Sequence, residues 1–83
     1  MVSNRVIITV NLIITGKSYD LEIPLDISAT ELCTALFEMY LPEKLGDAKD
    51  YFLKIERPIG LIRGDTTLRE YGIRNGTIIN ITR

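Results

Sequence analysis

The chain has no histidine and one cysteine among its 83 residues. Without an imidazole, no Ser-His or Cys-His nucleophilic pair can be assembled, and imidazole ligation of a metal is excluded. One cysteine cannot close an internal disulfide, which fits a reducing compartment. Without histidines it cannot build a structural zinc site either. No apolar run reaches the roughly 18 residues that a membrane span needs. The opening stretch, Met1 to Arg5, lacks the charged, apolar and small-residue segments of a secretory leader. The expectation is a cytoplasmic protein with no direct membrane insertion. The six glycines (Gly16, Gly46, Gly60, Gly64, Gly72 and Gly76) stand apart from one another, so none forms a phosphate loop. Carboxylates such as Asp65 and Glu70 have neither calcium-loop nor glycosidase spacing. The chain is therefore expected to be no enzyme, with no catalytic residue, no metal site, no cofactor and no small-molecule substrate.

What is present points to a globular domain. The chain is 46% hydrophobic and 25% charged, and its length suits a single domain over residues 1–83. A net charge of −1 argues against bulk binding of nucleic acid. The charge is uneven, however. Residues 1–53 carry four basic against eight acidic side chains, and residues 54–83 carry six against three. A docking surface made by the second half would use that excess.

Hydrophobic periodicity predicts the elements. Val6 to Ile14 reads as a strand with Ile8, Val10, Leu12 and Ile14 on one face and Ile7, Thr9, Asn11 and Ile13 on the other. Thr15 to Ser18 reads as a turn, and Tyr19 to Leu25 as the partner strand of a hairpin, with Tyr19, Leu21, Ile23 and Leu25 inward. Pro24 lacks an amide donor and suits an edge strand or a strand end. Ser28 and Glu31 have capping-box spacing, so a helix should start there and run to about Leu41, before Pro42. At 100° per residue its inward arc holds Ala29, Leu32, Cys33, Leu36, Met39 and Tyr40. On that arc Cys33 serves as a small buried hydrophobe rather than a reactive thiol.

Pro42 to Asp50 reads as a polar connection. Tyr51 to Arg57 follows as a strand with Tyr51, Leu53 and Ile55 inward. Pro58-Ile59-Gly60 turns the chain into a short strand, Leu61 to Arg63. A helical turn at about Thr67 to Tyr71 ends at Gly72. Asn75-Gly76 then turns into a last strand, Thr77 to Thr82, with Ile79 and Ile81 inward. The order is ββαββ, an α+β arrangement in which one helix packs on a mixed sheet.

The pieces Tyr19-Asp20-Leu21 with Pro24, and Leu68 through Gly76 before a terminal strand, carry a resemblance to a known family. With them the chain resembles the small ubiquitin-like proteins of Gram-positive type VII secretion systems, the YukD/EsaB family. The resemblance runs from Val6 to Ile81 and implies a ubiquitin-like β-grasp fold. It also implies a bacterial, cytosolic accessory protein acting through protein contacts, with membrane or ATPase subunits of the machine as partners, as a monomer or weak dimer. Tyr71 resembles the ubiquitin tyrosine that ties a loop to backbone, a structural role.

Period-2 counting places Ile7, Ile13, Phe52 and Ile78 on the face away from the helix, as one expected apolar patch. Lys54 would stand at its middle, where ubiquitin has the central isoleucine of its recognition face. Arg57 and Arg63 would stand at its rim. Two other functions compete. A conjugable modifier or sulfur carrier needs a mobile C-terminal Gly-Gly, and this sequence ends Ile81-Thr82-Arg83. An RNA-binding β-grasp module needs a basic, aromatic-bearing face, which Phe52 permits and no cluster demands.

Overall fold

The computed structural model describes residues 4–40 and 51–82. Its elements are β1 (Arg5–Leu12), β2 (Lys17–Pro24), α1 (Ala29–Tyr40), β3 (Phe52–Glu56), β4 (Gly60–Ile62) and β5 (Ile78–Thr82). The strands form one five-stranded mixed sheet in the order β2-β1-β5-β3-β4. β1 runs antiparallel to β2 and parallel to β5, and β3 runs antiparallel to both β5 and β4. This is the expected ubiquitin-like β-grasp. The parallel β1–β5 pair needs a long connection, and the helix and second hairpin supply it.

The core follows from strand alternation. Val6, Ile8, Val10 and Leu12 of β1, Leu53 and Ile55 of β3, and Ile79 and Ile81 of β5 are buried beneath α1 with Leu32 and Leu36. Two expectations are corrected. The hairpin turn occupies Ile13 to Gly16, not Thr15 to Ser18, because Leu12 already pairs with Lys17. Alternation therefore stops before Ile14, which is 40% exposed and not a core residue. On α1, Phe37 is buried at 7% and Met39 is exposed at 64%, the reverse of the expected arc. The two positions lie about 80° on either side of the stripe centre, so helical spacing alone cannot choose between them. Packing against Tyr51, with ring centroids 5.3 Å apart, decides for Phe37. The expected end of the helix at Leu41 and the connection Pro42 to Asp50 lie outside the described residues.

The amino end of α1 is held by both local and long-range bonds. Ser28 Oγ accepts from the Glu31 amide at 3.0 Å, half of the expected capping box. The amides of Ala29 and Thr30 donate to the carbonyls of Thr66 and Gly64, and that of Leu32 donates to the Ser28 carbonyl. Two of the orphan donors of the helix start are thus taken by the segment after β4 and a third by the Ser28 side chain. That segment is itself pinned, through the amides of Leu68 and Arg69, to the carbonyls of Ile27 and Leu25. Its single turn ends as expected at Gly72, with φ at +77°. Bonds from the Ile73 amide to the Leu68 carbonyl and from the Gly72 amide to the Arg69 carbonyl close it.

Candidate interaction surface

Opposite α1, the sheet presents a face built by the outward residues of every strand. The registers arrange them in rows. Asp20, Thr9, Ile78 and Glu56 form one row, and Asn11, Asn80, Lys54 and Leu61 the next. Phe52 pairs with Thr82, and the Ile13 amide donates to the Ile81 carbonyl, so Ile13 and Phe52 flank Thr82 in a third row.

Ile7, Ile13 and Phe52 are 57%, 55% and 44% exposed, and Ile78 is half-buried. They do not make one patch. Ile7 and Ile78 lie toward one end of the face, and Ile13 and Phe52 toward the other. Between them runs a hydrogen-bonded polar seam. Ser18 Oγ donates to Asn11 Oδ1 at 2.6 Å, Asn11 Nδ2 to Asn80 Oδ1 at 2.8 Å, and Asn80 Nδ2 to Glu56 Oε2 at 3.1 Å. Thr9 Oγ1 donates to Asp20 beside it at 2.9 Å. Leu61, 46% exposed and paired with Lys54 in the middle row, is a further exposed apolar residue on the β4 side of the sheet, one that sequence reasoning left without a face. Alternation from the buried Ile62 would have found it.

Lys54 is exposed in the outward row of β3. Arg57 follows β3 in the left-handed region, at φ +62°, with its carbonyl accepting from Thr77 Oγ1 at 2.7 Å. Arg63 is placed differently. Its amide and carbonyl are both bonded to the Tyr71 hydroxyl, at 3.2 and 2.7 Å, which gives Tyr71 the expected tying role. Arg63 lines a groove of about 260 Å³ on the helix side, with Ala29, Thr30, Cys33, Tyr51 and Ile62. Burial pushes the Cys33 thiol above its ordinary pKa, which disfavours the nucleophilic thiolate. Among the described residues no cluster of three or more His, Cys, Asp or Glu is placed to hold a metal, and no helix is long and apolar enough to cross a membrane. The sheet order also turns the charge asymmetry into geometry. Asp20 and Glu22 sit on the β2 edge, and Lys54 and Arg57 toward the β3–β4 side.

The fold is shared with solved ubiquitin-like domains. The ubiquitin-like domain of yeast Ddi1 is 20% identical, with a TM-score of 0.73 over 98% of this chain and 91% of that one. The C-terminal ubiquitin-like domain of mouse tubulin-specific chaperone e is 11% identical, with a TM-score of 0.76 over 98% and 88%. A ubiquitin-like domain from Arabidopsis thaliana is 17% identical, with a TM-score of 0.75 over 96% and 78%. These likenesses show the fold alone. A search of the curated proteins finds no match. The family model for protein YukD of the WXG100 protein secretion system (Wss) matches residues 6–81, the strands, helix and closing turn described above, and the chain belongs to that family.

Proposed function

We propose that this YukD-family chain is a non-enzymatic, cytosolic accessory protein of the secretion system, and that it works by protein contacts through the outer sheet face. The observation that carries the reading is the exposed apolar end of that face, Ile13 and Phe52, with Lys54 and the exposed Leu61 in the adjoining row. Apolar side chains grouped next to a cation suit an acidic-rimmed protein surface, such as that of an ATPase or membrane subunit. In such a contact the apolar anchors carry most of the affinity, and the rim charges set on-rate and salt dependence. Ile7 and Ile78 form a second, smaller contact beyond the polar seam, with Arg57 near it. Arg63 contributes least, since it lines the opposite groove. The chain acts as a monomer or weak dimer, and neither a small-molecule substrate nor nucleic acid enters the reading.

The test is Phe52→Ala, with Lys54→Glu as its charge counterpart, in the native host. Phe52→Ala is expected to weaken co-purification of secretion-machine subunits and to lower export of WXG100 substrates, with the unfolding midpoint nearly unchanged. Lys54→Glu should act mainly at low salt. Normal export and co-purification from a folded Phe52→Ala protein would move the working surface elsewhere.

A further inference from the structure

We propose that the edge of β2 is a second contact site, which takes an extended segment of a protein partner, with alternating apolar and basic side chains, as an added strand. The proposal shares with the outer-face reading the premise of protein contacts, but it uses different residues.

β2 is an outer strand of the sheet, and its eight residues pair with β1 in one unbroken register from Arg5↔Pro24 to Leu12↔Lys17. No bulge interrupts it. Among the described residues, no backbone bond reaches β2 from its outer side. The opposite edge strand, β4, has only three residues. Sheet edges are commonly guarded by lysine, proline, bulges or cover. Here Lys17 and Pro24 stand at the two ends and leave the middle of the strand open to pairing.

The two faces of that edge differ. On the helix side Tyr19 and Leu21 are only partly buried, and the Tyr19 ring lies 4.4 Å from that of Tyr40. Cys33, Thr30 and Thr34 line the groove toward β3 and β4, which sets the orientation of α1. Met39 falls on the opposite flank of α1 and is exposed. Tyr19 and Leu21, with Tyr40 against the Tyr19 ring, thus make an apolar shelf beneath the edge. On the outer side Asp20 and Glu22 are exposed. A strand laid along β2 places alternate side chains on the shelf and beside the two carboxylates, so apolar–basic alternation fits it.

A second copy of the chain fits poorly along the middle of the strand. Antiparallel self-pairing must keep each residue on its own face. A two-fold axis at Asp20 sets Asp20 against Asp20, an axis at Leu21 sets Asp20 against Glu22, and an axis at Glu22 sets Glu22 against Glu22. Each places like charges directly opposite, which is destabilising. An axis at Tyr19 uses only the first part of the strand and puts Lys17 against Leu21. The carboxylates therefore disfavour the homotypic pairs centred on the middle of the strand and favour a cationic guest.

The experiment titrates the ¹⁵N-labelled full chain with acetyl-KVKVKV-amide and with its acidic counterpart, acetyl-EVEVEV-amide. The basic peptide is expected to shift the amides of residues 18–22 and to slow exchange of alternate β2 amides. The acidic peptide should leave them unmoved. Asp20→Lys combined with Glu22→Lys should reverse the preference and weaken the basic peptide by about tenfold, since two opposite-charge cross-strand pairs are lost. Phe52→Ala should leave this binding unchanged, so the two surfaces fail or stand separately. Shifts confined to the outer face around Phe52 and Lys54, no shift at millimolar peptide, or a charge-reversed variant that binds the basic peptide equally would each overturn the proposal.

Discussion

Thr77 is fully buried and polar, and both functions of its hydroxyl are used. The oxygen accepts from the Arg74 amide at 3.0 Å, and the hydroxyl donates to the Arg57 carbonyl at 2.7 Å. It joins the turn before β5 to the bend after β3, two segments that share no strand pairing at those positions. Thr77→Val keeps the shape and strands both partners, which should cost about 1–3 kcal/mol. Thr77→Ser keeps the bonds and should cost less, and urea unfolding of the pair measures the difference. A similar cost for both would show that the lost methyl, not the hydroxyl, matters. Cys33 illustrates the other use of burial. Its native thiol resists ionisation because of desolvation, so the fold keeps the proton where an unfolded chain has lost it. The resulting stability is intact below the ordinary thiol range and is lost as pH rises through it toward the native value. Urea melts between pH 7 and pH 10 should therefore decline more steeply for the natural chain than for Cys33→Ala. Parallel curves would remove the desolvation argument.

Elements were legible to different degrees, for physical reasons. Strands buried on one face announce themselves by alternation, so Ile8, Val10, Leu53, Ile55, Ile79 and Ile81 could be assigned inward without a structure. The cap at Ser28 and the stop at Gly72 were legible because each rests on local chemistry. The hairpin boundary was not, since Ile13 and Ile14 have strand propensity and only the Leu12↔Lys17 pairing shows where the turn begins. Nor was the flank of α1, where periodicity leaves Phe37 and Met39 equivalent until Tyr51 is in place. The outer-face residues could be assigned to their face, but the gap between them could not. It depends on which strands are neighbours and on hydrogen bonds between residues far apart in sequence. Phe37→Ala should cost about 3–5 kcal/mol and Met39→Ala well under 1 kcal/mol, as read by thermal or urea unfolding. Comparable losses at both sites would mean that α1 is rotated about its axis.

At the scale of the whole molecule, β5 holds the two ends of the chain in the middle of the sheet. The polar seam crosses it, and Asn11 and Asn80, 69 residues apart, meet there. The seam runs over four strands, Ser18 on β2, Asn11 on β1, Asn80 on β5 and Glu56 on β3. It is also one-way. An ionised carboxylate can only accept, so Asn80 must turn its amino group toward Glu56. That leaves the Asn80 carbonyl for the Asn11 amino group, and the Asn11 carbonyl for the Ser18 hydroxyl. The terminal anion thus sets the rotamer of every amide behind it, as the first domino sets the last. Glu56→Lys puts a donor where the acceptor stood, and the sequence of donations should reverse, with Asn80 and Asn11 turned over and Ser18 accepting. The side-chain NH₂ resonances of Asn11 would report the reversal, and Asn11 signals indifferent to Glu56→Lys would refute it. A change of charge on β3 would then be legible as the direction of a hydroxyl on β2, three strands away, with no backbone atom displaced.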